Sequence, residues 1–452
     1  MVFQARPQIG FLASGFVYVS ISISIIGFLG FYSHREFITT PPIIVFATQL
    51  IALIAAATLS RKYLKTHIWG LMPFLCLALW SGLSVLWADQ FLMSFKRWSI
   101  VFAPGILMLY ALGTDQKPGQ KFIFLVYLFS GIAIASLIYN LLIVTFGEMI
   151  PVLLLGCGLD GINGCHPGPG VFHSLAIGNF ELSLLQGGRY FTALDLYLPR
   201  YSGITSNPNS VGLIASLALI GLVAKSEVGW RLKNLGPSIM FLLVLFSLIL
   251  SGSRAAYLMT MVGVIMVLLL RYNWLRLSSG ILCLVLLSPV YLYGTSILSH
   301  GTYSTFGGDF ISLGERSSIW ARSLQGVEES WKTGMGFGLI EEKLLSRPGY
   351  SSAAHSLPLT LLLETGIIGL ILFIITWLRP VLKILGHSRD INSTTVGIAS
   401  LLIALFVHQL FDSSIMRYHW LNFVFAALIG IALSIEKTVT SQIKIKEQIT
   451  SV

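Results

Sequence analysis

Leu235-Gly-Pro-Ser-Ile-Met-Phe-Leu-Leu-Val-Leu-Phe-Ser-Leu-Ile-Leu-Ser251 and Ala255-Ala-Tyr-Leu-Met-Thr-Met-Val-Gly-Val-Ile-Met-Val-Leu-Leu-Leu-Arg271 are two apolar runs joined only by Gly252-Ser253-Arg254. Each is close to the ~20 residues a helix needs to cross a hydrocarbon core. With so short a turn the second run must return antiparallel to the first. In lipid every backbone N–H and C=O must find a partner inside the protein, and a helical hairpin meets that condition.

The rest of the chain has the same character. Of 452 residues, 55% are hydrophobic and only 11% are charged, whereas a soluble domain carries about 25% charged residues. The mean hydropathy is +0.81. A globule of this size could not cover its surface with so little charge, so the chain reads as an all-α integral membrane protein. This excludes a cytosolic enzyme, a disordered chain, a disulfide-rich secreted module and a nucleic-acid binder. The net charge of +10 is no nucleic-acid footprint, because Lys and Arg of membrane proteins collect in cytoplasmic loops.

Twelve candidate membrane helices are expected over residues 11–31, 41–59, 68–87, 98–112, 121–146, 206–224, 235–251, 255–271, 277–294, 356–378, 394–412 and 418–435. Met-Val-Phe-Gln-Ala-Arg at the N-terminus shows no cleavable signal pattern, so the first run reads as a retained span. With a cytoplasmic N-terminus, seventeen of the 29 Lys and Arg residues fall inside and five fall in the short outer loops. Both termini are therefore expected in the cytoplasm. Two long loops, 147–203 and 295–355, are expected outside, as parts of one polytopic domain spanning 1–452 and containing short helices. Long loops tend to be functional. No internal repeat relates the two halves. Cys76 and Cys283 read as packing residues, and Cys157 and Cys165 in the first outer loop are spaced so that a local disulfide is one option.

Five places could carry chemistry, because ionisable groups at or near membrane depth are costly. Arg200-Tyr-Ser-Gly203 leads into Asn207-Pro-Asn209, where Asn207 or Asn209 can cap a descending helix; with Arg200 beside it this makes an anion site, or else a plain cap with a snorkelling Arg. Arg254 on its Gly/Ser turn can hold a phosphate in bidentate fashion or anchor to headgroups. Gly314-Glu-Arg316-Ser-Ser-Ile-Trp320 places Arg316 and Trp320 one helical turn apart. Followed by Gly334-Met-Gly-Phe-Gly338, the pair can grip phosphate and sugar, or Arg316 can serve an internal salt bridge. Ala353-Ala-His355-Ser-Leu-Pro358 puts an imidazole where the second loop re-enters the membrane, a place for a general base, although a lone His is more often structural. Glu364, His408 and Asp412 can form a proton relay, with packing or support of neighbouring groups as the favoured reading.

In this order, Arg-x-x-Gly…Asn-Pro-Asn, Ser-Gly-Ser-Arg, Gly-Glu-Arg-x-x-x-Trp, Gly-x-Gly and His-Ser-x7-Glu-x-Gly-x-x-Gly, the motifs resemble the O-antigen ligase and polymerase superfamily of bacterial envelopes. The motifs cover about residues 200–370. The resemblance implies a GT-C-like, metal-independent glycosyltransferase of the inner membrane, with no cofactor. It implies a glycan donor carried on undecaprenyl diphosphate at the periplasmic face. The acceptor would be a sugar of the lipid A core in a ligase, or another lipid-linked glycan in a polymerase. By the same resemblance His355 would take the acceptor's proton and Arg200 and Arg254 would hold the diphosphate. Arg316, Asn209 and Trp320 would contact substrate. Membrane lipids are expected partners, a chain-length regulator is a further candidate, and nucleic acid is not expected.

The chemistry is consistent with those residue types. Breaking a glycosidic bond to a lipid diphosphate develops charge on the diphosphate, and fixed cations in a shielded cavity stabilise it. Losing one such donor typically costs about 100- to 1000-fold in rate. A positioned base adds ~100- to 10,000-fold. The rival from another class is a twelve-span transporter, for which Glu364 and His408 speak, while the absence of a repeat and the grouping of charges toward one surface speak against it.

Overall fold

The computed structural model describes residues 15–22, 43–59, 68–113, 117–146, 173–177, 180–185, 188–191, 196–199, 203–205, 208–226, 235–271, 316–340, 354–386, 392–417 and 419–450. In chain order the helices are α1 (15–22), α2 (Ile43–Leu59), α3 (Ile68–Ser84), α4 (Phe91–Gly113), α5 (Pro118–Phe146), α6 (Pro208–Lys225), α7 (Leu235–Ser251), α8 (Arg254–Arg271), α9 (Arg316–Ser330), α10 (Leu357–Gly386), α11 (Ser393–Leu410), α12 (Ser414–Arg417) and α13 (His419–Thr450). A 3₁₀ turn at Val85–Trp87 links α3 toward α4.

Among the described residues seven helices are long and apolar enough to cross a membrane, and Ala47–Thr58, Gly236–Ser251 and Trp420–Ile435 are shorter apolar helices. The chain is a multi-pass membrane protein. Seven of the twelve expected spans coincide with the long helices, and three more fall on the shorter ones. The first is described only over 15–22, and the expected span 277–294 lies outside the described residues.

Three boundaries differ from expectation. α4 starts at Phe91, not at 98, so Lys96 and Arg97 lie within the helix rather than in an outer loop. α10 runs to Gly386 and α13 to Thr450. Both continue through charged sequence, where hydropathy falls but helix formers such as Lys, Glu and Gln keep propensity high.

The first long loop also departs from expectation. In place of short helices, its described part forms two antiparallel two-stranded hairpins. β1 (His173–Ile177) pairs with β2 (Phe180–Leu185), and β3 (Gly188–Phe191) pairs with β4 (Leu196–Pro199). The cause is period-2 patterning such as Phe180-Glu-Leu-Ser-Leu, with Gly178-Asn179 as a hairpin-type dipeptide between the first two strands. The second long loop does contain a helix, α9.

The described residues fall into two compact units. The first comprises those of Met1–Gly27, Ile38–Phe124 and Ser318–Val452, and the second those of Phe28–Phe37 and Leu125–Ser317. In the first unit α13 lies along α4, α10 packs against α3 and α11, and α2 packs against α4. Trp420, Phe423, Val424, Phe425 and Leu428 of α13 are fully buried. A helix apolar on all sides is stable where protein and lipid together surround it. In the second unit α6 is the centre, packed by α7 and α8, and most of its length is buried.

Candidate functional site

His355 stands two residues before the start of α10. It has φ 47, and it is the single non-glycine residue with positive φ among the described residues. That left-handed conformation costs an L-residue roughly 1–2 kcal/mol. Strained backbone persists only where its surroundings over-determine it, and such residues cluster at functional sites. The surroundings here are explicit. The Ser356 carbonyl accepts both the N–H of Thr360 (3.0 Å) and its hydroxyl (2.9 Å), so Ser356 caps α10. Pro358 in the first turn lacks an N–H that the helix would leave orphaned in any case. On the other side, the Trp320 indole donates to the Ala354 carbonyl at 2.9 Å. Ala354 is buried in an apolar cluster with Ile340 and Leu363, against Val327, Met335 and Leu359. His355 itself is half-buried between the buried Ala354 and Ser356.

Behind His355, α10 is broken at Gly366, which has φ 68 and ψ −170. The break frees backbone groups, and four of them are taken up by neighbouring segments. The N–H of Ile367 donates to Trp331 carbonyl at 2.7 Å, Met335 N–H to Leu363 carbonyl at 2.8 Å and Gly336 N–H to Glu364 carbonyl at 3.0 Å. Trp80 donates its indole N–H to Thr365 carbonyl at 2.8 Å. The glycine run Gly334-Met-Gly-Phe-Gly338 is thus laced to the break rather than left open for an anion.

Its other side is fixed too. Trp87 donates to Gly334 carbonyl at 3.2 Å, Ser94 to Phe337 carbonyl at 2.6 Å, and Phe337 N–H to the Ser84 hydroxyl at 3.1 Å. The Arg97 guanidinium donates to Gly338 carbonyl. Gly334 has φ 74, and a Cβ on it would lie 2.3 Å from the Glu364 backbone; a Cβ on Gly366 would lie 2.3 Å from the Lys332 carbonyl oxygen. Only glycine fits either place.

The Glu364 side chain is buried, as is His408. Gln409 organises the end of α11: its Nε2 donates to the Ser414 hydroxyl (2.9 Å) and sits 3.1 Å from His408 Nδ1, while its Oε1 accepts the N–H of Ile415 (3.0 Å). The Asp412 carboxylate accepts the N–H of Ser413 at 2.7 Å. Sequence reading missed Gln409; a polar amide next to His408 in an apolar helix was the available signal.

The second unit holds Asn209 and Arg254. Asn209 is the second residue of α6, so it sits within the first turn and is not the cap. Gly212, one turn further on, is pressed against the α7–α8 hairpin: a Cβ there would lie 2.7 Å from Ser251 Oγ, 2.8 Å from Ser253 Cβ and 2.9 Å from Ala256 Cβ. Gly252 has φ 58 and its N–H donates to Ile249 carbonyl at 3.1 Å, closing the turn. Tyr257 ties the same turn through its hydroxyl to Ile249 carbonyl at 2.6 Å. Arg254, half-buried, is therefore the first residue of α8 on a rigid hairpin, at the end of the unit where the first turn of α6 docks. Upstream, Gly203 has φ 60 and donates its N–H to Asn140 Oδ1 at 3.1 Å, fixing the chain that leads into α6.

Arg200, Asn207, Cys157, Cys165 and Cys283 lie outside the described residues, and Arg316 is placed only as the first residue of α9. His355 and Trp320 belong to the first unit, Arg254 and Asn209 to the second. Cys76 is a free thiol in α3. Among the described residues no group of three or more His, Cys, Asp or Glu side chains could hold a metal ion.

Residues 239–374 match the family model described as O-antigen ligase. The match spans less than a third of the chain, and over that segment the chain is similar to the O-antigen ligase family. The O-antigen ligase segment takes in the α7–α8 hairpin with Arg254, then α9 with Arg316 and Trp320, the glycine run, His355 and the break at Gly366. Asn209 and Arg200 precede it. No curated protein is significantly similar to the chain in sequence. Among solved structures, a chain from a study of the structural coordination of polymerization and crosslinking by a peptidoglycan synthase complex is similar at 14% identity and a TM-score of 0.43, over 82% of this chain and 98% of that one.

Proposed function

We propose that the protein is an O-antigen ligase-type glycosyltransferase of the bacterial inner membrane. It moves a glycan en bloc from undecaprenyl diphosphate to a sugar hydroxyl of the lipid A core at the periplasmic face, with both of its own termini in the cytoplasm. The observation that carries this reading is His355: a strained imidazole-bearing residue, fixed on both sides at the mouth of α10, inside the O-antigen ligase segment.

His355 accepts the proton of the acceptor hydroxyl as its oxygen attacks the anomeric carbon. The bond from that carbon to the diphosphate oxygen breaks, and the electron pair leaves with the undecaprenyl diphosphate. Arg254 on its stiff hairpin and Arg200 receive the developing charge, and Arg316 and Asn209 contact the substrates. Guanidinium groups supply here what a metal ion supplies in other transferases. A single displacement inverts the anomeric centre.

Three measurements test this. Purified full-length protein is given lipid-linked glycan with and without a lipid A-core acceptor: transfer that requires the acceptor is expected, and chain growth on lipid-linked glycan alone makes the protein a polymerase instead. Determination of the product linkage is expected to show inversion, and retention excludes the single displacement. His355→Ala is expected to lower turnover by at least ~100-fold, the low end of what a positioned base contributes, while donor binding persists. Near-full turnover of that variant removes His355 from the base role.

A further inference from the structure

We infer that Trp320 is a positioning residue for His355: its indole N–H fixes the Ala354 carbonyl and so holds the adjoining His355 backbone in the left-handed conformation from which the imidazole works. This rests on His355 being the general base.

The Ala354 carbonyl and the His355 N–H belong to one planar peptide unit. A donor at 2.9 Å on that carbonyl therefore sets the plane about which φ of His355 is measured. The Ala354 methyl is held as well, in the cluster with Ile340 and Leu363. Downstream, the doubly accepted Ser356 carbonyl fixes the next anchor. With the preceding peptide unit held by the indole and the Ser356–Leu357 unit held by α10, the unfavourable φ of 47 is confined between two anchors.

The donor is not local: Trp320 lies 34 residues earlier, on α9. Its ring centroid is 6.3 Å from that of Phe411, just past the end of α11. One indole thus connects three segments at the point where His355 is set. The hydrogen bond gives Trp320 a role beside the substrate contact expected from sequence. The bond occupies the indole N–H and leaves the ring faces, so a grip on sugar is a separate role that the kinetics below distinguish.

The test uses purified full-length protein with undecaprenyl-diphosphate-linked glycan and lipid A-core as substrates. Trp320 is replaced by 3-benzothienylalanine, which keeps the bicyclic shape and removes the N–H, and in parallel by phenylalanine (Trp320→Phe). The isosteric replacement keeps the test alive if Trp320→Phe does not fold. Expected is a fall in kcat of about 10-fold, within the range that sub-ångström to ångström misplacement of a reacting group produces, with KM for both substrates changed by less than about 2-fold, as for a group acting only in the transition state. Phe411→Leu, which spares the N–H, is expected to hold kcat within about 2-fold.

A raised acceptor KM with unchanged kcat makes Trp320 a sugar contact and overturns the inference, as do kinetics unaffected by the isostere. His355→Ala measured alongside separates the two layers. If His355→Ala is inactive and the position-320 variants are unaffected, only the positioning role fails. If His355→Ala stays active, the base reading fails, and with it the role given to Trp320.

Discussion

The two units hold their helices together by opposite means. In the first, large rings reach across gaps: the indoles of Trp80, Trp87, Trp98, Trp320 and Trp377 each donate to a backbone carbonyl, at 2.8 to 3.2 Å. In the second, small residues let backbones touch. Gly212 meets Ser251, Ser253 and Ala256, the Ser216 hydroxyl lies 2.8 Å from the carbonyls of Gly212 and Ala256, and Thr260 bonds Ser216 and Ala256. Small residues and interhelical hydroxyls are the usual glue between helices in lipid, where apolar contact alone discriminates little between protein and solvent. The lesson lies in what each mode permits. Long-reaching donors can satisfy irregular backbone, and the first unit contains a broken helix, a glycine loop and a left-handed histidine. Close contact demands regular helices, and the second unit uses it to present Arg254 on a stiff hairpin.

The sharpest way to break this contrast is Gly334→Ala. The new Cβ would fall 2.3 Å from the Glu364 backbone at φ 74, so neither side can yield cheaply. A loss above about 4 kcal/mol is expected, of the exceptional class, seen as failure to recover monodisperse protein. A variant that purifies with wild-type thermal stability would show that the glycine loop does not depend on the helix break. Next is Gly212→Leu in the second unit. Overpacking typically costs about 1–3 kcal/mol; here it should lower the unfolding temperature in detergent and reduce transfer by shifting the hairpin under Arg254. Full activity would separate the small-residue contact from Arg254. The smallest effects form a pair. Trp377→Phe removes one indole bond and is expected to cost about 1 kcal/mol, while Thr260→Val removes a hydroxyl from a crowded group and should cost about 0.6 kcal/mol, the mean for hydrogen bonds between membrane helices. Thermal unfolding of both variants side by side tests the ranking, and a reversed order would mean that the hydroxyl cluster carries more of the helix association than the indoles do.

What the sequence made legible follows from hydropathy and turn chemistry. The α7–α8 hairpin appears where its apolar runs and Gly252-Ser253 placed it, and His355 lies at the entrance to a long apolar helix as expected. What stayed hidden was set by tertiary contacts. Nothing in Glu364-Thr-Gly-Ile-Ile-Gly announces that the helix breaks at Gly366, because the break is stabilised by Trp80, Trp331, Met335 and Gly336 from other segments. The extension of α13 past residue 435 was hidden because charged sequence carries no membrane signal, although its residues favour helix. For the site, Trp320 was legible as a residue of interest, but its partner was not: a carbonyl at position 354 has no sequence signature.

The break at Gly366 also has a mechanical consequence. It makes α10 two rods in series, and the short one, which begins beside His355, is bolted to the glycine loop. His355 therefore keeps its place by bonds that reach its neighbours from α9 and the glycine loop, as well as by the helix that follows it.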